Sequence, residues 1–172
     1  MAVCGQAHAD ACEPLIPRSL ADALARAFPG YRTPFEYDNA PEDIRDDRSR
    51  GGTGCLGVGT ADFTGDGKKD YVIGLTSFKG NAGLAVVALP EKGGWRFERL
   101  QGWGEHARSS GYVTVVRPGR YEATPSSARR LQPGARQSVD CPHWGARIGT
   151  VEASGTVYCY LNGRWLHVPV SD

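Results

Sequence analysis

The sequence has no excess of charge of either sign. Its 172 residues carry 20 Lys and Arg against 19 Asp and Glu, a net charge of +1. Nucleic acids and anionic membrane surfaces are gripped by a clustered basic excess, so neither is an expected partner. Long hydrophobic runs are missing too. No stretch nears the ~20 apolar residues that cross a bilayer, so no integral membrane segment is expected. There is no CxxC pair to build a compact zinc site. The glycine-rich run Gly54-Cys55-Leu56-Gly57-Val58-Gly59 leads into a strand, a turn and a strand rather than a helix, so it is no phosphate cradle. Gly102-Trp103-Gly104-Glu105-His106 sets an acid beside a base, but no nucleophile sits at a recognisable elbow. The expectation is a protein that is not an enzyme.

Glycine and proline are plentiful, 23 and 11 residues, as suits many turns between short strands. The segment from Cys12 to Pro17 reads as extended. One clear helix follows, with Ser19 as cap and Leu20, Leu24, Ala27 and Phe28 at helical spacing, ended by Pro29-Gly30. The mixed-sign run Glu42 to Arg48 reads as a solvated loop or short turn. Strands are predicted around Leu56 to Val58, at Tyr71–Leu75, and at Leu84–Leu89, where the apolar density implies burial on both faces. Further strands are expected at Trp95–Leu100, Tyr112–Val116, Ile148–Val151, Gly155–Leu161 and Arg164–Val170. Asn162-Gly163 turns the last hairpin. Arg117 to Gln137, with three prolines and five arginines, reads as a long loop that is functional or mobile. The predicted fold is mostly β: a compact antiparallel sheet, partial propeller or sandwich, with one N-terminal helix.

Ala7-His8-Ala9 ahead of Asp10 has the small-residue pattern of a signal-peptidase site. Residues 1–9 are therefore expected to be the remnant of an export signal, and 10–172 a single β-rich domain, periplasmic or secreted, with a lipid anchor before processing left open. Removing Cys4 with that signal leaves Cys12, Cys55, Cys141 and Cys159. An even set in an exported chain points to two disulfides with three connectivities. Cys141 and Cys159 flank one hairpin region, which favours Cys141–Cys159 and Cys12–Cys55. A zinc site using Cys141 and His143 is the rival reading.

The densest chemical signal is Asp62-Phe63-Thr64-Gly65-Asp66-Gly67-Lys68-Lys69-Asp70. Three carboxylates, Asp62, Asp66 and Asp70, fall at its first, fifth and ninth positions, and Gly67 permits a tight turn. Oxygen donors in a flexible loop suit Ca2+. The Thr64 hydroxyl and the Lys68 backbone carbonyl complete the candidate set. An EF-hand is excluded, because its twelfth position is Ile73 and strands flank the loop. The alternative is an Asp/Gly-rich turn without metal.

Over residues 58–75 this segment resembles the FG-GAP type of loop of integrin-like propellers and exported β proteins. The resemblance implies a calcium staple, weakened by Thr64 where Asp or Asn is usual. Farther on, Ser154-Gly155-Thr156-Val157-Tyr158 resembles the Ser-Gly-x-x-Tyr loop by which periplasmic lysozyme inhibitors enter the cleft of lysozyme. Ser109-Ser110-Gly111-Tyr112 is a second, less exact match. The resemblance implies partner-binding roles for Ser154, Gly155 and Tyr158. Together these features resemble the periplasmic immunity proteins that neutralise secreted peptidoglycan hydrolases. The expected function is thus a calcium-binding inhibitor that blocks a lysozyme-like glycosidase by loop insertion, with the arginines of 117–137 facing its acidic cleft. The alternative is a calcium-stapled adhesion or carbohydrate-binding module using Trp95, Trp103, Trp144 or Trp165.

Overall fold

The computed structural model describes residues 10–80, 82–104, 111–151 and 153–171. Strands take 45% of the chain and helices 19%, so the fold is mostly β, with antiparallel sheets and, among the described residues, no closed barrel. The first sheet is centred on β3 (Asp70–Ser77). On one edge β3 pairs with β1 (Tyr31–Arg32) and β2 (Val58–Ala61), and on the other with β4 (Gly83–Glu91), which pairs in turn with β5 (Gly94–Trp103). The second sheet runs β11-β10-β9-β6, from Arg164–Ser171, Ser154–Leu161, Gly145–Thr150 and Gly111–Val116. A two-stranded ribbon joins β7 (Gly119–Glu122) to β8 (Ser138–Cys141).

Strand alternation sorts the core into layers. Val72, Ala85, Val87 and Leu89 leave the first sheet to meet Val113, Ala146, Ile148 and Tyr158 of the second. On the opposite face Tyr71, Ile73, Leu75, Val86 and Ala88 meet Leu20, Leu24 and Phe28 of the first helix. β4 is therefore buried on both faces, as its continuous apolar run predicts. Outside the second sheet, Val157, Cys159 and Val168 pack against Val139 and Cys141 of the ribbon. Both expected disulfides are formed, Cys12–Cys55 and Cys141–Cys159, so Cys141 has no thiol to share with His143 in a zinc site.

Four local expectations need correction. The Cys12–Pro17 segment is not extended, because Asp10 Oδ1 accepts the N–H groups of Cys12 and Glu13 and winds Glu13–Leu15 into a 3-10 turn. Helix α1 spans Arg18–Ala27 with Pro17, not Ser19, at its N-cap. The charged run is not a loop but a second helix, α2 (Pro41–Ser49). Pro41 opens it, Glu42 and Asp43 lie in its first turn and Arg48 in its last, all matched to the helix dipole. Ile44 alone buries its apolar side, so no periodic stripe marks it. The 117–137 segment holds β7 and the short helix α3 (Pro125–Ala128), capped by the Thr124 side chain.

Candidate functional site

The acidic loop connects β2 to β3. Asp62 turns inward and organises its own backbone: Oδ1 accepts the N–H of Gly65 at 2.6 Å and of Asp66 at 3.2 Å, and Oδ2 that of Gly67 at 2.9 Å. Gly65 and Gly67 have φ of +75° and +79°, a region glycine enters without strain. At Gly65 a side chain would also collide with the His143 ring, which packs on the loop from the second sheet's side. Phe63, wholly buried, reaches between the sheets and meets Trp165 edge-on, centroids 5.9 Å apart.

Asp70 is 1% exposed. Its Oδ2 accepts the N–H groups of Phe63 at 2.9 Å and Thr64 at 3.3 Å, while Oδ1 has no partner. Burial pushes its carboxyl pKa up, against the pull of those two N–H groups. Thr64 Oγ1 is likewise buried without a hydrogen-bond partner, although it sits near enough to Asp66 to add a small acidifying pull. Asp66 Oδ2 pairs with Lys68 Nζ at 2.8 Å and Oδ1 accepts the Lys68 N–H at 2.9 Å. These bonds hold Asp66 below the usual carboxylate range and raise Lys68.

Among the described residues, no three His, Cys, Asp or Glu side chains converge on one point where a metal ion could sit. Asp62 is spent on backbone amides and Asp66 on Lys68, so the first, fifth and ninth carboxylates do not meet. The donor set still fits a hard cation in one respect. Two buried oxygens, Asp70 Oδ1 and Thr64 Oγ1, lack donors, and both residues border a cavity of about 370 Å3 with Asp66 and Lys68.

The second constellation is a cleft of about 420 Å3 whose lining includes Gln101, Arg130, Ser154, Gly155, Tyr158 and His167. The four-residue spacing of Ser154 and Tyr158 puts both on one face of β10. Ser154 is exposed at the start of the strand, its Oγ 2.9 Å from Thr150 Oγ1. Tyr158 is 7% exposed and belongs to the core between the sheets. Its hydroxyl donates to Gln101 Oε1 at 3.1 Å, and burial pushes its pKa up to about 12. Its ring stacks on His167, the cross-strand partner given by the β10–β11 register, with centroids 5.2 Å apart. Burial lowers the His167 pKa, which favours the neutral imidazole.

The arginine-bearing segment folds against this cleft. Arg136 N–H donates to the His167 carbonyl at 2.9 Å and Thr124 N–H to that of Pro169 at 3.3 Å. Arg120 is tied to Glu122 and Asp140. Arg130 lines the cleft and makes no ion pair among the described residues.

Sequence reasoning reached Ser154, Gly155, Tyr158 and the arginine segment but missed Gln101 and His167. The signal for His167 was the Asn162-Gly163 turn, whose register seats it opposite Tyr158. Residues 1–9, Glu105-His106 and Ser109-Ser110 lie outside the described residues. Of the four tryptophans, Trp95, Trp103 and Trp165 pack against the cores, and Trp144 is 39% exposed. No family model, no curated protein and no solved structure matches this chain.

Proposed function

We propose that this is an exported calcium-binding inhibitor or immunity protein that acts on a lysozyme-like peptidoglycan hydrolase through the Ser154–Tyr158 cleft. Two disulfides suit maturation in an oxidising compartment, and among the described residues no helix is long and apolar enough to cross a membrane. One observation carries the reading: Ser154, Gly155, Tyr158 and Arg130, drawn from two separate stretches, line a single cleft. The mode of contact differs from the expected one. Tyr158 is a core residue and does not project, so the site receives rather than inserts. Arg130 and the exposed Ser154 hydroxyl are offered to an acidic segment that projects from the partner beside its cleft, since a guanidinium favours a carboxylate. Calcium is assigned to the acidic loop, with Asp70, Thr64 and Asp66 and the Lys68 carbonyl as ligands and Asp62 holding the turn.

The test is lysis of peptidoglycan by a panel of lysozyme-like enzymes with added protein and calcium. Wild type should inhibit at least one of them stoichiometrically. Ser154→Arg, which fills the cleft mouth from an exposed position, should weaken inhibition about tenfold or more without lowering the melting temperature. No inhibition across the panel removes this reading. The carbohydrate-module alternative then rests on Trp144, the one tryptophan exposed among the described residues, and glycan-dependent quenching of its fluorescence would support it.

A further inference from the structure

The acidic loop supplies its own cation. Lys68 Nζ lies 2.8 Å from Asp66 Oδ2 while its backbone N–H holds Oδ1 at 2.9 Å, so one residue occupies both oxygens of that carboxylate. Lys68 and Asp66 border the same cavity as Thr64 and Asp70. Within that cavity the deeply buried Asp70 keeps Oδ1 without a donor, and Thr64 Oγ1 is equally unpartnered. The two inner oxygens are thus buried without hydrogen-bond partners, and the outer carboxylate is blocked by an ammonium.

We propose that Lys68 is a tethered counter-ion: its side chain neutralises Asp66 in the metal-free protein, and a divalent cation must displace it to join Asp66 to Thr64 and Asp70. This rests on the calcium assignment above and adds a determinant of affinity that the ligand set alone does not contain. The pair is exposed, with side-chain accessibilities of 57% and 42%, so the ammonium leaves without breaking the core. Glu91 borders the same cavity but is already paired with Arg96 at 2.9 Å, so the displaced ammonium goes to solvent.

Calorimetric titration with calcium chloride at low ionic strength, where exposed charges are least screened, tests the idea on three proteins. Lys68→Met removes the ammonium and keeps much of the stem. Lys69→Met makes the same charge change one residue on, at a lysine with no ion pair among the described residues. The expected result is one calcium per wild-type chain, binding about fivefold tighter in Lys68→Met and less than twofold tighter in Lys69→Met. Equal tightening in both variants would reduce Lys68 to a net-charge effect and overturn the proposal, as would unchanged affinity in Lys68→Met. Absence of calcium binding in all three would remove the calcium assignment itself.

Discussion

Tyr158 illustrates how a residue that completes a resemblance to a recognition loop can be a core side chain. The Ser-x-x-x-Tyr spacing is also strand spacing, so the residue that ends the motif points between the sheets while Ser154 stays at the rim. Its phenol is buried against His167 and bonded to Gln101, and its pKa is pushed up to about 12 from an ordinary value near 10. A phenol raised in this way leaves stability intact below pH ~10. It withdraws stability as pH climbs through the folded value, because the folded state resists the charged form. Wild type should therefore lose up to about 3 kcal/mol between pH ~10 and ~12 from this group. Tyr158→Phe should cost about 1 kcal/mol at neutral pH through the lost hydrogen bond but show a shallower alkaline fall. A residual slope is expected from Tyr71 and Tyr121, which burial also raises. Parallel alkaline curves for the two proteins would remove the burial account.

Among the elements, legibility followed locality. Helix α1 announces itself because Leu20, Leu24 and Phe28 recur on one face, and β4 because five buried residues run from Ala85 to Leu89. Helix α2 stays hidden because Pro41 in its first turn and charges matched to its dipole favour it, with Ile44 as its one buried residue. The β7–β8 ribbon hides for another reason: Gly119 pairs with Cys141 across the arginine segment, and a short strand with a distant partner has no local signature. The acidic loop's backbone role was equally invisible, since nothing in the spacing tells whether Asp62 faces a cation or its own amides. The Cys141–Cys159 bond ties this ribbon to β10 over a separation of 18 residues. Replacing both cysteines with alanine should lower unfolding free energy by about 2–4 kcal/mol in denaturant titrations. Amide exchange should quicken first in β7 and β8 and last in β3 and β4, which are covered on both faces. Equal loss of protection in all four strands would show that the ribbon is no separate layer.

At the scale of the whole molecule, the central sheet is the shared wall of two cores, with α1 on one side and the second sheet on the other. The acidic loop begins where β2 ends and finishes on Asp70, the first residue of β3. A cation held there would fasten a central strand to its neighbour, so its effect should reach global stability. A ligand that binds only the folded state at a hundred times its dissociation constant contributes about 2.7 kcal/mol. Calcium should accordingly raise the melting temperature, and magnesium, which demands stricter octahedral geometry, should do so less. The choice of variant decides whether the test is clean. Asp62→Ala would strip three backbone N–H groups of their acceptor, and Asp70→Ala would open a buried hole, so either destabilises the protein without any metal. Asp66 is exposed, its carboxylate is held chiefly by Lys68, and its backbone N–H bond to Asp62 survives side-chain truncation. Asp66→Ala should therefore melt close to wild type in chelator and lose most of the calcium-induced rise. A full rise in that variant would exclude Asp66 from the ligand set, and no rise in wild type would leave the loop a turn held by Asp62 and Asp70 alone.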